Sequence, residues 1–204
     1  MPSAREIVVF DDDAPPAGQS PWMVPQATEH IAIVEYDAAW PTRFRELADR
    51  IATALGARAL EINHVGSTSV PGLPAKPIID IDLTVADSSD ERAWLPQLEV
   101  AGFVLTVREP WWQEHRCLKL PDPRCNLHVF SPDASEPWRH RIVRDHLRRD
   151  AADRARYASA KTASAAAANA EGETVAQYNA RKESTIRAIS ARAFLAAGLP
   201  AAAG

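Results

Sequence analysis

Apolar and polar residues alternate along Pro77-Ile-Ile-Asp-Ile-Asp-Leu-Thr-Val85. A strand sends successive side chains to opposite faces, so Asp80, Asp82 and Thr84 share one face and Ile79, Ile81, Leu83 and Val85 the other. The second set reads as core. Apolar runs over 31–34, 58–65, 103–107, 115–121 and 125–131 predict further strands, and Ile7 to Phe10 predicts a short one. Phe44, Leu47, Ile51 and Leu55 recur at helical spacing, with Pro41 suited to the first turn and Gly56 to the stop. Asp90 suits the cap of a helix reaching about Ala101, with Gly102 ending it. From Ser135 onward the pattern is helical: one helix to about Arg149, a second through the alanine-rich stretch near Ala165, and a third opened by the capping-box pattern Thr174-x-x-Gln177. Strands grouped with few helices, then a helical tail, predict an α+β fold built on a mixed sheet. The expected organisation is a flexible N-terminal extension over 1–28, an α/β core over 29–134, C-terminal helices over 135–197 packed on that core, and a tail over 198–204.

Composition narrows the function classes. A chain of 204 residues with 46% apolar side chains suits one domain with added helices. A formal net charge of −4 argues against general nucleic-acid binding. Cys117 and Cys125 are placed on neighbouring strands, with neither a disulfide framework nor zinc spacing. A reduced, cytoplasmic setting is therefore expected. The first residues lack the basic-then-apolar pattern of a signal peptide, and no apolar run is long enough to cross a membrane.

Chemistry concentrates around the aspartate strand. Two carboxylates held side by side repel unless a cation sits between them, so Asp80 and Asp82 are candidate ligands for a hard divalent ion, Mg²⁺ or Mn²⁺. A solvent-facing strand with two charges is the bland alternative. Just upstream, Gly66 and Ser67 in His64-Val-Gly-Ser-Thr-Ser-Val-Pro-Gly72 can offer backbone N–H groups and a hydroxyl to a phosphate, or simply end a strand. In Asn126-Leu-His-Val-Phe130, alternation puts Asn126, His128 and Phe130 on one face. His128 can there ligate a metal or move a proton, or be a hydrogen-bonded half-buried histidine. Lys76 and Arg116 are cationic candidates beside the cleft, with surface charge as the alternative. Trp111 and Trp112 suit a base-stacking platform or a hydrophobic lid. In the helical tail, Arg139, Arg141, Arg144, Arg148, Arg149, Arg154, Arg156 and Lys161 alternate with acids, which reads as a solvated face. Lys161 and Lys182 each follow a tyrosine by four residues, and Lys182 lies at the edge of a packed stripe, able to project toward an anion or to snorkel.

The segments His64-Val-Gly-Ser-Thr-Ser-Val-Pro-Gly-Leu73 and Ala75-Lys-Pro-Ile-Ile-Asp-Ile-Asp82 closely resemble the GrpB family. His115-Arg116, Asn126-Leu-His-Val-Phe130, Tyr157-x-x-x-Lys161 and Tyr178-x-x-x-Lys182 also look like that family, and the likeness spans about 30–192. The resemblance implies a nucleotidyltransferase-like fold, in which a Gly-Ser pair holds a triphosphate, two acids on one strand bind metal, and a third acid on a later strand completes the site. Gly66-Ser67 and Asp80 with Asp82 match the first two elements, and His128 stands at the third. One negative charge is thereby lost, which favours one Mg²⁺ over two. GrpB-like domains also occur fused to dephospho-coenzyme A kinase. The implied activity is binding of a nucleoside triphosphate with Mg²⁺, with transfer of a nucleotidyl group to an unidentified acceptor. Asp80, Asp82 and His128 would be catalytic, and Gly66, Ser67, Lys76, Arg116 and Lys182 would hold the nucleotide. The alternative is a non-catalytic binding module for a nucleotide or coenzyme A-related ligand. The expected partner is in either case a small molecule, not a membrane or a nucleic acid.

Overall fold

A computed structural model describes residues 1–10, 15–25 and 28–201. Its centre is a five-stranded mixed sheet in the order β1-β2-β5-β4-β3. The strands are β1 (Glu61–Val65), β2 (Ile79–Thr84), β3 (Val104–Glu109), β4 (His115–Pro121) and β5 (Arg124–Phe130). β2 pairs antiparallel with β1 and parallel with β5, while β4 pairs antiparallel with both β5 and β3. The aspartate strand is thus central. Among the described residues, six helices flank the sheet: α1 (Ala4–Val8), α2 (Trp40–Leu55), α3 (Leu95–Val100), α4 (Glu136–Arg149), α5 (Ala151–Glu171) and α6 (Val175–Ala196). This is the α+β class expected. No helix among the described residues is long and apolar enough to cross a membrane.

Alternation along the strands builds two different layers. Ile79, Ile81 and Leu83 of β2, Leu118 and Leu120 of β4, and Leu127 and Val129 of β5 form the main core with α2 and α3. Trp40, Leu47, Ile51 and Leu55 of α2 supply the helical stripe, with Pro41 in its first turn and Gly56 (φ 57°) at its end. The opposite face carries Asp80, Asp82, Asn126 and His128, and α4 to α6 lie over it. Val70, Leu73, Leu147 and Ile189 join these helices to the turn after β1. The capping box at Thr174 and Gln177 starts α6 as its sequence predicts. The two cysteines are free, buried, and on the neighbouring strands β4 and β5.

Several local expectations are corrected. Residues 4–8 form a helix rather than a strand, because Ser3 and Glu6 make a capping box and Ile7 and Val8 bury against Phe194. Residues 11–14, within the predicted linker, and 202–204, in the predicted tail, lie outside the described residues. Ile31 to Val34 contributes only a single bridge, Val34 to Ala75. Asp90 makes no side-chain cap, and the helix expected from it is a 3₁₀ turn followed by the short α3. The arginines after Ser135 are not one solvated face. Arg139 is buried and donates to the carbonyls of Ile7 (2.7 Å), Glu6 and Val9, closing the end of α1.

Asp153 holds the three C-terminal helices together. It is 1% exposed, and its carboxylate meets His146 at 2.7 Å, Arg156 at 2.8 Å and Arg192 at 2.7 Å. The Arg192 hydrogen bonds lead in holding its carboxyl well below the usual range. A depressed folded-state pKa stabilises above the unfolded value and loses that contribution as pH falls toward the folded one. Asp153→Asn is therefore expected to lower stability by about 1–3 kcal/mol near neutrality, the cost of charge-assisted hydrogen bonds. Urea denaturation should show the gap between variant and parent narrowing once pH drops below about 4.

Candidate functional site

β1 ends at Val65, and Gly66 (φ 65°) turns the chain into a 3₁₀ turn over Ser67–Ser69. Val65 is paired with Asp80, which brings this turn against the aspartate strand. A Cβ on Gly66 would lie 2.4 Å from Asp80 Oδ2, so both the backbone conformation and the close approach require glycine. Two arginines of α4 brace the turn: Arg144 donates to the carbonyl of His64 at 3.0 Å, and Arg148 to that of Ser69 at 2.8 Å. These residues, read from sequence as solvated, instead position the bend.

The turn is one wall of a cavity of about 320 Å³. Asp80, Asn126 and His128 form its floor, and Tyr157, Lys161, Tyr178 and Lys182 of α5 and α6 its roof, with Lys76 alongside. Asn126 donates to Asp80 Oδ1 at 2.8 Å. Burial raises the Asp80 carboxyl, against the opposing pull of Asn126 and Lys76. Lys76 and Lys182 each place Nζ 5.1 Å from the centre of the Tyr178 ring. Lys161 is 3% exposed, lies 5.3 Å from the Tyr157 ring centre, and donates to the Pro74 carbonyl at 2.6 Å. Burial, helped by the neighbouring ammonium groups, pushes Lys161 down to about 7 and Lys182 to about 8. Burial also lowers Lys76. The two Tyr-Lys pairs singled out in the sequence thus converge from separate helices.

Asp82 is not on the cavity wall. It is 1% exposed, and its two oxygens lie 2.9 and 3.1 Å from His140 Nδ1 on α4. His140 Nε2 also approaches Glu136 Oε1 at 3.4 Å. Burial alone would lower the His140 pKa, but the Asp82 and Glu136 carboxylates outweigh it and hold the ring as imidazolium. Glu136 ends near 2, because His140 and Arg139 overcome its burial. α4 is set in place from a distance: Gln113 Oε1 accepts from the backbone N–H groups of Ser135 and Glu136. His140, Glu136 and Gln113 were not singled out from sequence. The i,i+4 spacing of Glu136 and His140 was the available signal, but it does not reveal which strand their helix faces.

His128 pairs across the sheet with Asp82 on one side and Cys117 on the other. Its Nδ1 lies 3.0 Å from His115 Nε2, and His115 Nδ1 lies 2.7 Å from Glu109 Oε2. Burial, with the His115 and His140 rings nearby, keeps His128 far below the ordinary histidine range and so neutral. Arg116, next in sequence, alternates to the face of Leu118 and Leu120. There it donates to Glu91 at 2.6 Å and does not line the cavity. Trp112 packs against His115 and Phe130, making a lid over that histidine rather than a cavity wall. Of the residues expected at the site, Gly66, Ser67, Lys76, Asp80, His128 and Lys182 meet at the cavity, whereas Asp82 and Arg116 do not.

The donor set limits what cation fits. Among the described residues, the only three metal-type side chains whose ligand atoms converge within 4.8 Å are His146, Asp150 and Asp153, where Arg156 and Arg192 already neutralise Asp153. The cavity offers an ion one carboxylate, Asp80. That matches Mg²⁺, which takes one or two carboxylates and completes its shell from ligand oxygens and water. Among the described residues, a second ion finds no further carboxylate on the cavity wall.

Comparison with known proteins is consistent across its extent. The GrpB protein family matches residues 30–192. A UPF0157 protein of Halalkalibacterium halodurans is 48% identical over 163 residues, covering 80% of this chain and 82% of that protein. A UPF0157 protein of Streptomyces coelicolor is 44% identical over 139 residues, 68% of this chain and 72% of the relative. A dephospho-CoA kinase of Mycobacterium tuberculosis is 42% identical over 76 residues, which is 35% of this chain but only 18% of the kinase. The crystal structure of the conserved protein GrpB from Enterococcus faecalis is similar with a TM-score of 0.70 and 27% identity, over 82% of this chain and 99% of that one.

The contact between Gly66 and Asp80 is directly testable against Gly72, which also has positive φ (76°) but nothing within 4 Å of an added Cβ. Both alanine variants carry backbone strain, and only Gly66→Ala adds overpacking. Gly66→Ala is expected to cost about 1–3 kcal/mol more than Gly72→Ala in urea denaturation. Equal losses would show that the close approach is not required.

Proposed function

The chain belongs to the GrpB family, and from the charge of its cavity we propose that it binds a phosphate-bearing small molecule, a nucleoside triphosphate with one Mg²⁺ fitting best. One observation carries this reading. Among the described residues, three lysine ammonium groups crowd a cavity in which Asp80 is the one carboxylate on the wall. Holding like charges together under helices is unfavourable unless an anion joins them. Lysine suits phosphate as a point charge, and the Gly66-Ser67 turn adds donors beside it. The nucleotidyltransferase resemblance extends the reading to transfer of a nucleotidyl group. In it, Gly66 and Ser67 hold phosphate, and Lys76 and Lys182 neutralise charge that develops there. Asp80 would hold the ion, which when bound supplies further charge stabilisation. Arg116, tied to Glu91, has no part.

The second reading is a non-catalytic binding module. The closure of Asp82 by His140 favours it, because that acid is half of the expected metal pair. The likeness to a segment of dephospho-CoA kinases makes a coenzyme A-related ligand its named variant.

Calorimetric titration with ATP, GTP, CTP, UTP and coenzyme A, each with and without Mg²⁺, tests both. At least one should bind, and Lys182→Met or Lys76→Met should weaken it by about tenfold or more, the loss of one charge-assisted contact. Asp80→Asn should remove the Mg²⁺ dependence. Transfer of label from an α-labelled triphosphate to a metabolite extract supports the enzyme, and tight binding without transfer supports the module. The absence of binding by all five probes would refute both.

Proton linkage gives an independent check. A bound anion favours charged ammonium groups, so binding raises lysine pKa values that start at about 7 for Lys161 and about 8 for Lys182. Binding is therefore expected to take up protons at slightly alkaline pH and to weaken as pH rises through those values. Titrations in buffers of different ionisation enthalpy read the uptake directly.

A further inference from the structure

The roofed cavity is small, and the aromatic rings on its wall are already engaged. We propose that it seats a phosphate chain alone, and that the sugar and base of a bound nucleotide lie outside it. Inorganic pyrophosphate and tripolyphosphate are then ligands in their own right, and the base is not read. This rests on the cavity being a phosphate site, as argued above, and goes beyond it in saying which part of the ligand is recognised.

Size comes first. Ligand pockets span about 300–1,000 Å³, and a volume of about 320 Å³ stands at the bottom of that range. A nucleotide enclosed whole would add a sugar and a base to the phosphates, and this space suits one part of it rather than the whole. The wall then decides which part. A base is held by stacking on an aromatic face and by hydrogen bonds at its edge. Tyr178 is 1% exposed, with the Lys76 and Lys182 ammonium groups each 5.1 Å from its ring centre. The Tyr157 ring has Lys161 over it at 5.3 Å. His128 is stacked on His115 (5.3 Å between centres) and meets His140 edge-on at 6.1 Å. Asn126 already donates to Asp80, and Asn179 is exposed. Among the described residues, the rings on this wall therefore hold cations or other rings and offer no bare platform to a base.

A phosphate chain is matched instead. Three ammonium groups and one carboxylate leave a cationic excess, and a triphosphate chain carrying one Mg²⁺ keeps enough negative charge to balance it. Ammonium groups bind phosphate as point charges with donors in several directions, so they take a row of oxygens without reading what is attached to it. Gly66 and Ser67 add backbone and hydroxyl donors that are equally indifferent to the base.

Calorimetric titration of the full chain with Mg²⁺ present compares inorganic tripolyphosphate and pyrophosphate with ATP, GTP, CTP and UTP, and sodium sulfate at matched ionic strength controls for charge alone. Tripolyphosphate should bind once per chain with a Kd within about fivefold of the nucleotides, and the four nucleotides should agree among themselves within about the same factor. Lys182→Met, or Lys76→Met should that variant not fold, should weaken tripolyphosphate and ATP equally; unequal losses would put them in different sites and overturn the proposal. A preference of about tenfold or more for one base, or nucleotide binding without tripolyphosphate binding, overturns the proposal and leaves the phosphate site standing. Tripolyphosphate binding without nucleotide binding upholds the seat and removes the nucleotide as its occupant. Sulfate binding as well as tripolyphosphate would show that no chain is recognised and overturn the proposal. If none of the phosphates binds, the phosphate site fails and the proposal with it.

Discussion

Asp82 lies beneath α4 with almost no access to water, and a carboxylate there is tolerable because the His140 imidazolium sits 2.9 Å away. That contact sets the depth at which α4 crosses the sheet. Glu136 and Arg139 extend it along the same helix, so that each buried charge has an opposite neighbour. The α5–α6 pair then settles over the rest of the polar face, and the cavity is the space left, where Asp80 faces three lysines. A sheet polar on one side and apolar on the other would ordinarily show its polar side to solvent. Here the polar side is roofed, and the unmet charge collects at Lys76, Lys161 and Lys182.

Much of the floor of the site was legible because a strand has a period of two. The positions of Asp80, Asn126 and His128 on one face follow from alternation alone, as does the core role of Ile79, Ile81 and Leu83. Arg116 shows how sharp that rule is. Its neighbour His115 reaches the cavity side, and one step along β4 carries the guanidinium to the opposite face and into Glu91. Asp82 obeyed alternation too, but the sequence held no sign of what would cover it.

The helices were legible in extent and not in orientation. Caps and periodicity locate the ends of α2 and α4 and the start of α6 to within a few residues, and place α5 by its alanine-rich middle alone. Which side chains of α4 meet the sheet depends on a crossing fixed by residues far away in sequence, Gln113 among them. The bracing arginines therefore read as ordinary surface charge, and His140 was not singled out. The Tyr-Lys pairs could be noticed because they repeat, yet only tertiary packing brings them to one place. Their burial is a standing cost: lysines held below their normal pKa favour the unfolded chain at neutral pH, as functional sites commonly do.

The clamp of Arg139 on the carbonyls of residues 6, 7 and 9 has a further implication for where this domain begins. The family match starts at residue 30, yet a guanidinium inside that span is oriented by backbone oxygens lying before it. Trimming to the matched segment would leave that cation its Glu136 partner at 2.7 Å but remove the carbonyls and the Phe10 ring that also receive it. The boundary drawn by similarity and the boundary drawn by hydrogen-bond satisfaction are therefore different places on this chain.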